Sequence, residues 1–509
     1  MATSNVLIYL NQSFLHFGIT KELQKKFPAN YFGICATTEN AFDYLKKQDL
    51  VKFNELIHFP DYLKNTNQKP DYEFLEKFEK KYEIGVWKLI NTERAFHRKF
   101  NEYYDFKTKE KLLFLEQSIK FYEELLDRVN PNFLLTQTTI GLFDHLLYLL
   151  CRQRGVKILM LRPTRIGYHL IISEDFNFMD SFKKNSSEPN PNFKNFSDLQ
   201  NYINNFSLYK QVKNLETTFS ISKQKKFKSF LNFLFSNNDY KKHFNNYGKS
   251  KLNLLSKGTA LGKKIKMRKI ELFINKHTLK EIPQNFPFAY FPLHFEPEKI
   301  LLVDFPYFDN QIEIIKKISL SLPIKFQLYV KDHPTMAKQL WRESSFYREI
   351  LSLPNVKLLH YSITPREILS KTSLVFAIAG STGLEAAIYN KPSIVFSDME
   401  WTYLPSVTYV KSLTDLSDVI QESLASKVDF DITSNYLNEL DKNSFEFDYF
   451  TINKNFNQNF RYHGYFQDIE YPTEKMTSFF NEHESDFELL ANEHLKKIQF
   501  HLNNDSKSI

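Results

Sequence analysis

Leu374-Val-Phe-Ala-Ile-Ala-Gly-Ser-Thr-Gly-Leu-Glu-Ala-Ala-Ile-Tyr-Asn-Lys-Pro-Ser-Ile-Val-Phe396 decides how the chain is read. An apolar run from Leu374 to Ile378, a turn holding two of the chain's twelve glycines, a short apolar helical pattern and a second apolar run from Ser393 to Phe396 spell strand, turn, helix, strand. The turn Gly380-Ser-Thr-Gly383 admits two readings. Exposed amides and two hydroxyls at a helix N-terminus suit an anion such as phosphate. Alternatively, Gly380 makes the turn, Ser381 or Thr382 caps the helix and Glu385 closes a capping box, with no ligand.

The same rhythm extends outward. Strands are expected at Ala289 to Leu293, Phe326 to Val330 and Val356 to Leu359, and Thr364-Pro-Arg-Glu367 starts a helix with a threonine N-cap, proline at N1 and glutamate at N3. A helix at Thr414 to Leu424 follows the end of this sheet near Val410. The first half opens similarly, with strands at Val6 to Leu10, Tyr31 to Cys35, Glu55 to Phe59, Phe133 to Gln137 and Val156 to Leu161. Helical spacing between Phe74 and Arg128 predicts two or three long amphipathic helices. Alternation of this kind gives an α/β fold: two doubly wound Rossmann-like domains facing a cleft, with a helical basic insertion between them. The expected boundaries are 1–175 for an acceptor-side domain, 176–285 for the basic insertion, 286–430 for a second α/β domain and 431–509 for a helical extension.

With 509 residues the chain exceeds what one core organises, and 42% hydrophobic and 25% charged residues are ordinary for a folded globular protein. Fifty phenylalanines and 28 tyrosines make the cores aromatic. Cys35 and Cys151 are the only cysteines and sit in apolar surroundings, which argues against a disulfide framework or a thiolate metal site. The start lacks the basic and long apolar stretches of a signal peptide, and no run is long enough to span a bilayer, so the expected location is the cytoplasm. The net charge of +8 is unevenly spread: Ser181 to Lys280 holds 21 Lys plus Arg against 5 Asp plus Glu. Within it Phe227, Phe230, Leu231 and Leu234 form an apolar stripe beside Lys225, Lys226 and Lys228, the pattern of a basic amphipathic helix facing an anionic partner.

In open α/β sheets ligands bind beyond the carboxyl ends of the strands. Three loops of the second half qualify: Pro292-Leu-His-Phe-Glu-Pro-Glu298, Lys331-Asp-His-Pro334 and Gly380-Ser-Thr-Gly-Leu-Glu385. Lys331, His333, Pro334, Gly380, Ser381, Thr382, Gly383 and Glu385 are the candidate phosphate or nucleotide contacts. Glu296, Glu298 and His294 are candidates for a sugar, its hydroxyls or a metal, against the plain reading of solvated loop groups. In the first half Thr92-Glu-Arg-Ala-Phe-His-Arg98 pairs Glu93 with His97 and Arg94 with Arg98 at helical spacing, either an acceptor-side base with an anion clamp or a surface ion-pair network. Arg162 and Arg165 follow a strand and suit an anionic ligand.

His333-Pro334, followed about fifty residues later by Ser381-Thr382 in its Gly-Ser-Thr-Gly-Leu-Glu context, resembles the nucleotide-sugar half of capsule and surface polysaccharide glycosyltransferases with the GT-B fold. Sialyltransferase-like and Kdo-transferase-like enzymes are the nearest parallels, and Pro354-Asn-Val356 and Asn390-Lys-Pro-Ser-Ile-Val-Phe396 fit the same picture. The resemblance covers Phe288 to Leu424 and implies that His333 contacts the nucleotide of a CMP-sugar and Ser381 and Thr382 its phosphate. It implies transfer of a sugar from a nucleotide-sugar co-substrate, CMP-linked in preference to UDP-linked, to a surface polysaccharide or glycolipid. His333, Glu296 and Glu93 are the candidate catalytic groups. The acidic Asp/Glu-Asp/Glu-Gly tripeptide that supplies the base in sialyltransferase-like families is missing, so the base is left open. No Asp-x-Asp motif sits at a strand end, and neither a bound cofactor nor an essential divalent metal is expected. Residues 181–280 would dock the protein at the inner face of the cell membrane. Two other readings are a CDP-polyol phosphotransferase of the teichoic-acid type and a non-enzymatic protein binding anions or nucleic acid.

Overall fold

The computed structural model describes residues 3–11, 13–63, 68–97, 104–180, 193–205, 254–283, 285–296, 301, 308, 310–333, 336, 342–460 and 471–505. These residues form two α/β units. The first contains the described chain up to Asp180 and from Ser444 onward; the second contains the helix Phe196–Asn205 and the described residues from Gly258 to Asn443. The basic stripe around Phe230 lies outside the described residues. No helix among the described residues is long and apolar enough to cross a membrane.

In the first unit, β1 (Asn5–Leu10), β2 (Asn30–Cys35), β3 (Glu55–His58), β4 (Phe133–Gln137) and β5 (Lys157–Pro163) form a parallel sheet in the order β5-β4-β1-β2-β3. A further strand, β6 (His169–Ser173), turns back antiparallel to β5. The period of two places Leu7, Leu134, Ile158 and Met160 on one face, against the helices Thr108–Val129 and Leu142–Gln153. Val6, Ile8, Leu135 and Leu159 go to the other.

The second unit carries β7 (Phe288–Pro292), β8 (Gln327–Lys331), β9 (Val356–Leu359), β10 (Leu374–Ala377), β11 (Ser393–Val395) and β12 (Val407–Tyr409). They are all parallel and ordered β9-β8-β7-β10-β11-β12, the doubly wound order of Rossmann sheets. The expected cap is present: Thr364 accepts from the Glu367 amide at 3.3 Å, with Pro365 opening the helix Pro365–Lys371. The helix Phe196–Asn205 belongs to this unit, its Asn204 accepting from the Tyr389 hydroxyl at 3.1 Å and its Tyr202 donating to Asp441 at 2.7 Å.

The C-terminal region departs from expectation. Residues 431–509 are not a layer of their own: the helix Phe430–Lys442 stays with the second unit, and the chain then rejoins the first. There β13 (Phe445–Glu446) pairs antiparallel with β6. The helices Tyr449–Phe460, Thr473–Glu482 and Glu484–Asp505 bury Phe456, Phe460, Phe479, Phe480 and Phe487 in the core behind β1. The physical reason is the aromatic stripe itself, which needs an apolar partner surface. Gly18, in the helix Leu15–Gln24, makes the contact close, since a Cβ there would sit 2.3 Å from the buried Phe487 ring.

Two predictions follow from this packing. Alanine normally stabilises a helix relative to glycine, yet Gly18→Ala should lower stability by about 1–3 kcal/mol through overpacking against Phe487. Chemical denaturation of Gly18→Ala, alone and with Phe487→Leu, checks this, and the second change should recover part of the loss. His16 and His494, both buried, supply the other: burial lowers His16 to about 3, with His494 adding to the effect and the Thr136 backbone opposing it, and burial lowers His494 to about 4. An unfolded histidine takes up its proton near about pH 6.5, so below that value the unfolded chain binds more protons than the folded one. Their contribution is full above about pH 6.5 and shrinks as pH falls toward the folded values. The His494→Gln protein should therefore lose stability less steeply on acidification, by about 1.4 kcal/mol per pH unit inside this window.

Candidate functional site

The second unit's strand order reverses between β7 and β10, and the loops leaving these strands meet there. His294 Nε2 accepts from the Ala379 amide at 3.3 Å, which makes Nδ1 the protonated nitrogen of a neutral ring. Gly380 lies beside the His294 ring, whose nearest atom would be 3.4 Å from a Cβ there. The His294 amide donates to Gln311 Oε1 at 2.8 Å, and Gln311 Nε2 returns bonds to His294 O and to Glu296 Oε1. Glu296 is thus tied to the start of the helix Gln311–Ser321.

Asp332, just after β8, carries a buried cluster. Arg342 donates to Asp332 Oδ1 and to His294 O, with Glu296 Oε2 3.5 Å away. Tyr347 donates to Asp332 Oδ2. Burial pushes the Asp332 carboxyl up, while Arg342, the Tyr347 hydroxyl and the His333 amide at 2.7 Å pull it back. Arg342 and Asp332 therefore form a structural ion pair that fixes the loop carrying His333. The His333 ring meets Phe295 edge-on at 5.9 Å. Burial, then the Arg342 and Lys331 charges, lower its pKa to about 4. At neutral pH His333 is an uncharged hydrogen-bonding group.

Lys331 ends β8 on the opposite face, above Tyr290 and Tyr329. It is 3% exposed, and among the described residues its ammonium makes no hydrogen bond or ion pair. Burial lowers its pKa to about 8, against the opposing charge of Glu385. Glu385 is in turn pushed up by burial, and the Ser381 hydroxyl donates to its Oε1 at 2.8 Å. The expected capping box does not form: Ser381 opens the helix Thr382–Ile388 without a side-chain cap, because its hydroxyl faces Glu385. Among the described residues the amides of Gly380, Ser381 and Thr382 have no acceptor. Gly383 instead packs against the sheet, where a Cβ would lie 2.8 Å from Val395 Cγ1, and its carbonyl accepts from Ser393 Oγ at 2.9 Å. Pro334 and Glu298 lie outside the described residues.

The first unit has its own convergence at the corresponding reversal, between β1 and β4. Glu93 Oε2 and Asp144 Oδ1 approach the same point at Gly141, 3.6 and 3.5 Å from where its Cβ would be. Asp144 accepts from the amides of Ile140, Gly141 and His145 at 2.7 to 3.0 Å. Tyr9, near the end of β1, is raised well above its ordinary pKa by burial and then by Tyr122, Asp144 and Glu93. The helix expected through Glu93 and His97 breaks: Val86–Thr92 ends, Glu93 is extended, and its carboxylate caps the short turn Arg94–Phe96 by accepting from Ala95 at 3.0 Å. Glu93 and His97 therefore share no helix face, and His97 Nε2 lies 3.0 Å from Asn91 O. Arg98 lies outside the described residues. Arg162 is buried within β5, opposite Ile171, and Arg165 occupies the turn before β6 with φ 65°. The pair is split between strand and turn rather than sharing one loop. Among the described residues no group of three or more His, Cys, Asp or Glu side chains is placed to hold a metal ion.

Sequence reasoning missed Arg342, Gln311 and Tyr347. Each serves its neighbours across 10 or more residues of sequence, and none sits in a motif.

No family model matches the chain, and no curated protein matches its sequence. Among solved structures it is similar to the UDP-GlcNAc 2-epimerase from Neisseria meningitidis bound to UDP-GlcNAc, at 11% identity over 86% of this chain and 97% of that one, with a TM-score of 0.28. It is also similar to the beta Kdo 2,7 transferase KpsC of Thermosulfurimonas dismutans, at 13% identity over 70% and 87%, with a TM-score of 0.27. A third is the UDP-GlcNAc 2-epimerase from Methanocaldococcus jannaschii, at 12% identity over 85% and 97%, with a TM-score of 0.24. Likenesses of this strength carry no functional inference, and the class of the chain follows from its own topology: an α/β protein of two Rossmann-like units.

Removing Arg342 leaves Asp332 buried without its cation. Arg342→Leu should therefore destabilise the protein by about 3–5 kcal/mol, measured by denaturant unfolding. The Arg342→Leu/Asp332→Leu double variant should recover much of this.

Proposed function

We propose that the chain is a glycosyltransferase using a nucleotide-sugar donor, whose phosphate is bound in the second unit by Lys331 and the amides of Gly380, Ser381 and Thr382. The observation that carries this reading is Lys331, a residue 3% exposed at a strand end whose ammonium makes no hydrogen bond or ion pair among the described residues and has the Glu385 charge as its electrostatic neighbour. A buried charge of this kind is costly unless an anion completes it. Consecutive backbone amides without acceptors make the complementary half of an anion site. His333, uncharged, would hydrogen-bond a ribose or phosphate oxygen, and the ligand would most simply be a CMP- or UDP-linked sugar.

In the reaction, an acceptor hydroxyl gives its proton to a base while its oxygen attacks the anomeric carbon. The bond from that carbon to the phosphate oxygen breaks, and its electron pair leaves on the nucleotide, where Lys331 and the amides stabilise it. Glu93, converging with Asp144 on Gly141, is our candidate for the base. The acceptor would be a surface polysaccharide or glycolipid, with residues 181–280 as the membrane-facing anion-binding segment.

The test is turnover of a panel of CMP-, UDP- and CDP-linked donors with acceptor present. Lys331→Met should lower kcat/KM for the donor by about 10- to 100-fold, the loss expected for a charged hydrogen bond. In the unaltered enzyme kcat/KM should fall as pH rises through about 8, where free Lys331 gives up its proton. Glu93→Gln should reduce kcat by about 100-fold or more. A panel with no active donor, or unchanged kinetics in Lys331→Met, rejects the reading. A new phosphodiester in the product reassigns the chain to polyol-phosphate transfer, and an epimerised donor formed without acceptor reassigns it to epimerisation.

A further inference from the structure

The helix Leu254–His277 carries seven Lys or Arg residues and one acid, Glu271. Its C-terminal half is held to the second unit. Ile270 and Ile274, each 5% exposed, enter the core with Ala289 and Leu328. Arg348 lies over the Phe273 ring at 5.2 Å, and Lys266 reaches Glu343 at 2.7 Å. Just past the helix the Leu279 amide donates to Leu358 O at 2.8 Å, which ties the chain to the edge strand β9. The opposite face of the helix is therefore fixed in direction.

Successive helical residues turn by about 100°, so Ile265, Arg268, Lys269, Leu272 and Lys276 fall within an arc of about 100°, on the side away from Ile270 and Ile274. All five are exposed, Ile265 at 64% and Leu272 at 63%. Opposite a core-facing stripe, a helix of a globular domain normally shows charged and polar residues. Here two bulky aliphatic side chains sit two turns apart, about 10 Å along the axis, among three cations. Glu271 lies to one side of this arc, and Lys266 with its partner Glu343 to the other.

Aliphatic groups among cations are complementary to the boundary of a bilayer. The aliphatic groups enter the acyl boundary, while the Lys and Arg stems run along it and set their charges against lipid phosphates. Nucleic acid is the poorer match, because bases are held by stacking on aromatic rings and neither outward apolar group is aromatic. The helix is not long and apolar enough to cross a membrane, so its contact is that of a helix lying on one. We propose that the outward face of Leu254–His277 seats the second unit on an anionic lipid bilayer, with the helix in the plane of the headgroups. This rests on the reading of residues 181–280 as a membrane-facing segment and narrows it to five side chains.

The experiment floats the full chain with vesicles of phosphatidylcholine and phosphatidylglycerol, and with vesicles of phosphatidylcholine alone. The chain should bind the mixed vesicles and lose most of that binding at high salt or without phosphatidylglycerol. Arg268→Gln/Lys269→Gln/Lys276→Gln should weaken binding by about 100-fold, since each cation near anionic lipid contributes about fivefold. Ile265→Ser/Leu272→Ser should weaken it by about tenfold or more. All five side chains are exposed, so both variants should unfold at the denaturant concentration of the unaltered chain. A dye on Leu272→Cys whose emission shifts to the blue on leaving water reads insertion directly, because the native Cys35 and Cys151 are buried. Lys331→Met should bind vesicles like the unaltered chain, which separates this inference from the nucleotide reading. Vesicle binding that both variants retain in full overturns the assignment to this face and leaves the segment reading standing, whereas no vesicle binding at all overturns both. An unshifted dye, or binding of a single-stranded oligonucleotide in place of the mixed vesicles, also overturns the assignment.

Discussion

β7 is paired on both sides with strands that run in its own direction, β8 and β10, and the chemistry of the second unit depends on that constraint. Parallel neighbours require crossovers, and the crossovers leave β7 and β10 on either side of the reversal, where the loops that follow them meet. The carboxyl ends of three strands then deliver His294, Lys331 and Gly380 to one edge. The bond from the Ala379 amide to His294 Nε2 ties two of these loops together at that edge. The first unit repeats the arrangement around β1, with Glu93 and Asp144 meeting at Gly141.

Within the second unit, alternation along β8 and its following loop separates two kinds of charge. Asp332 points toward Arg342 and Tyr347, and the guanidinium is consumed by a carboxylate and a carbonyl. Lys331, one residue earlier, points to the other face and finds only tyrosines and the more distant Glu385. Arginine is the side chain that a chemist would first assign to a phosphate. Its engagement with Asp332 makes it a brace, and leaves lysine as the available cation. Burial also keeps His333 uncharged, so Lys331 is the cation of the site that makes no ion pair among the described residues.

The parallel strands were legible because they are buried on both faces, whereas the antiparallel β6 and β13 were not. Runs such as Val6 to Leu10 and Leu374 to Ile378 need no partner information to be recognised, and the observed strands match them to within one or two residues. The loops that follow were legible for the same reason. Side-chain roles inside them were less so. Ser381 reads as a helix cap until Glu385 is seen to take its hydroxyl, and Glu93 and His97 read as a helix face until the helix is seen to end at Thr92. Gly383 looks like part of an anion loop, yet its missing side chain serves Val395. The return of the chain after Ser444 to the first unit was invisible, since amphipathic helices announce that they need a partner and not which one.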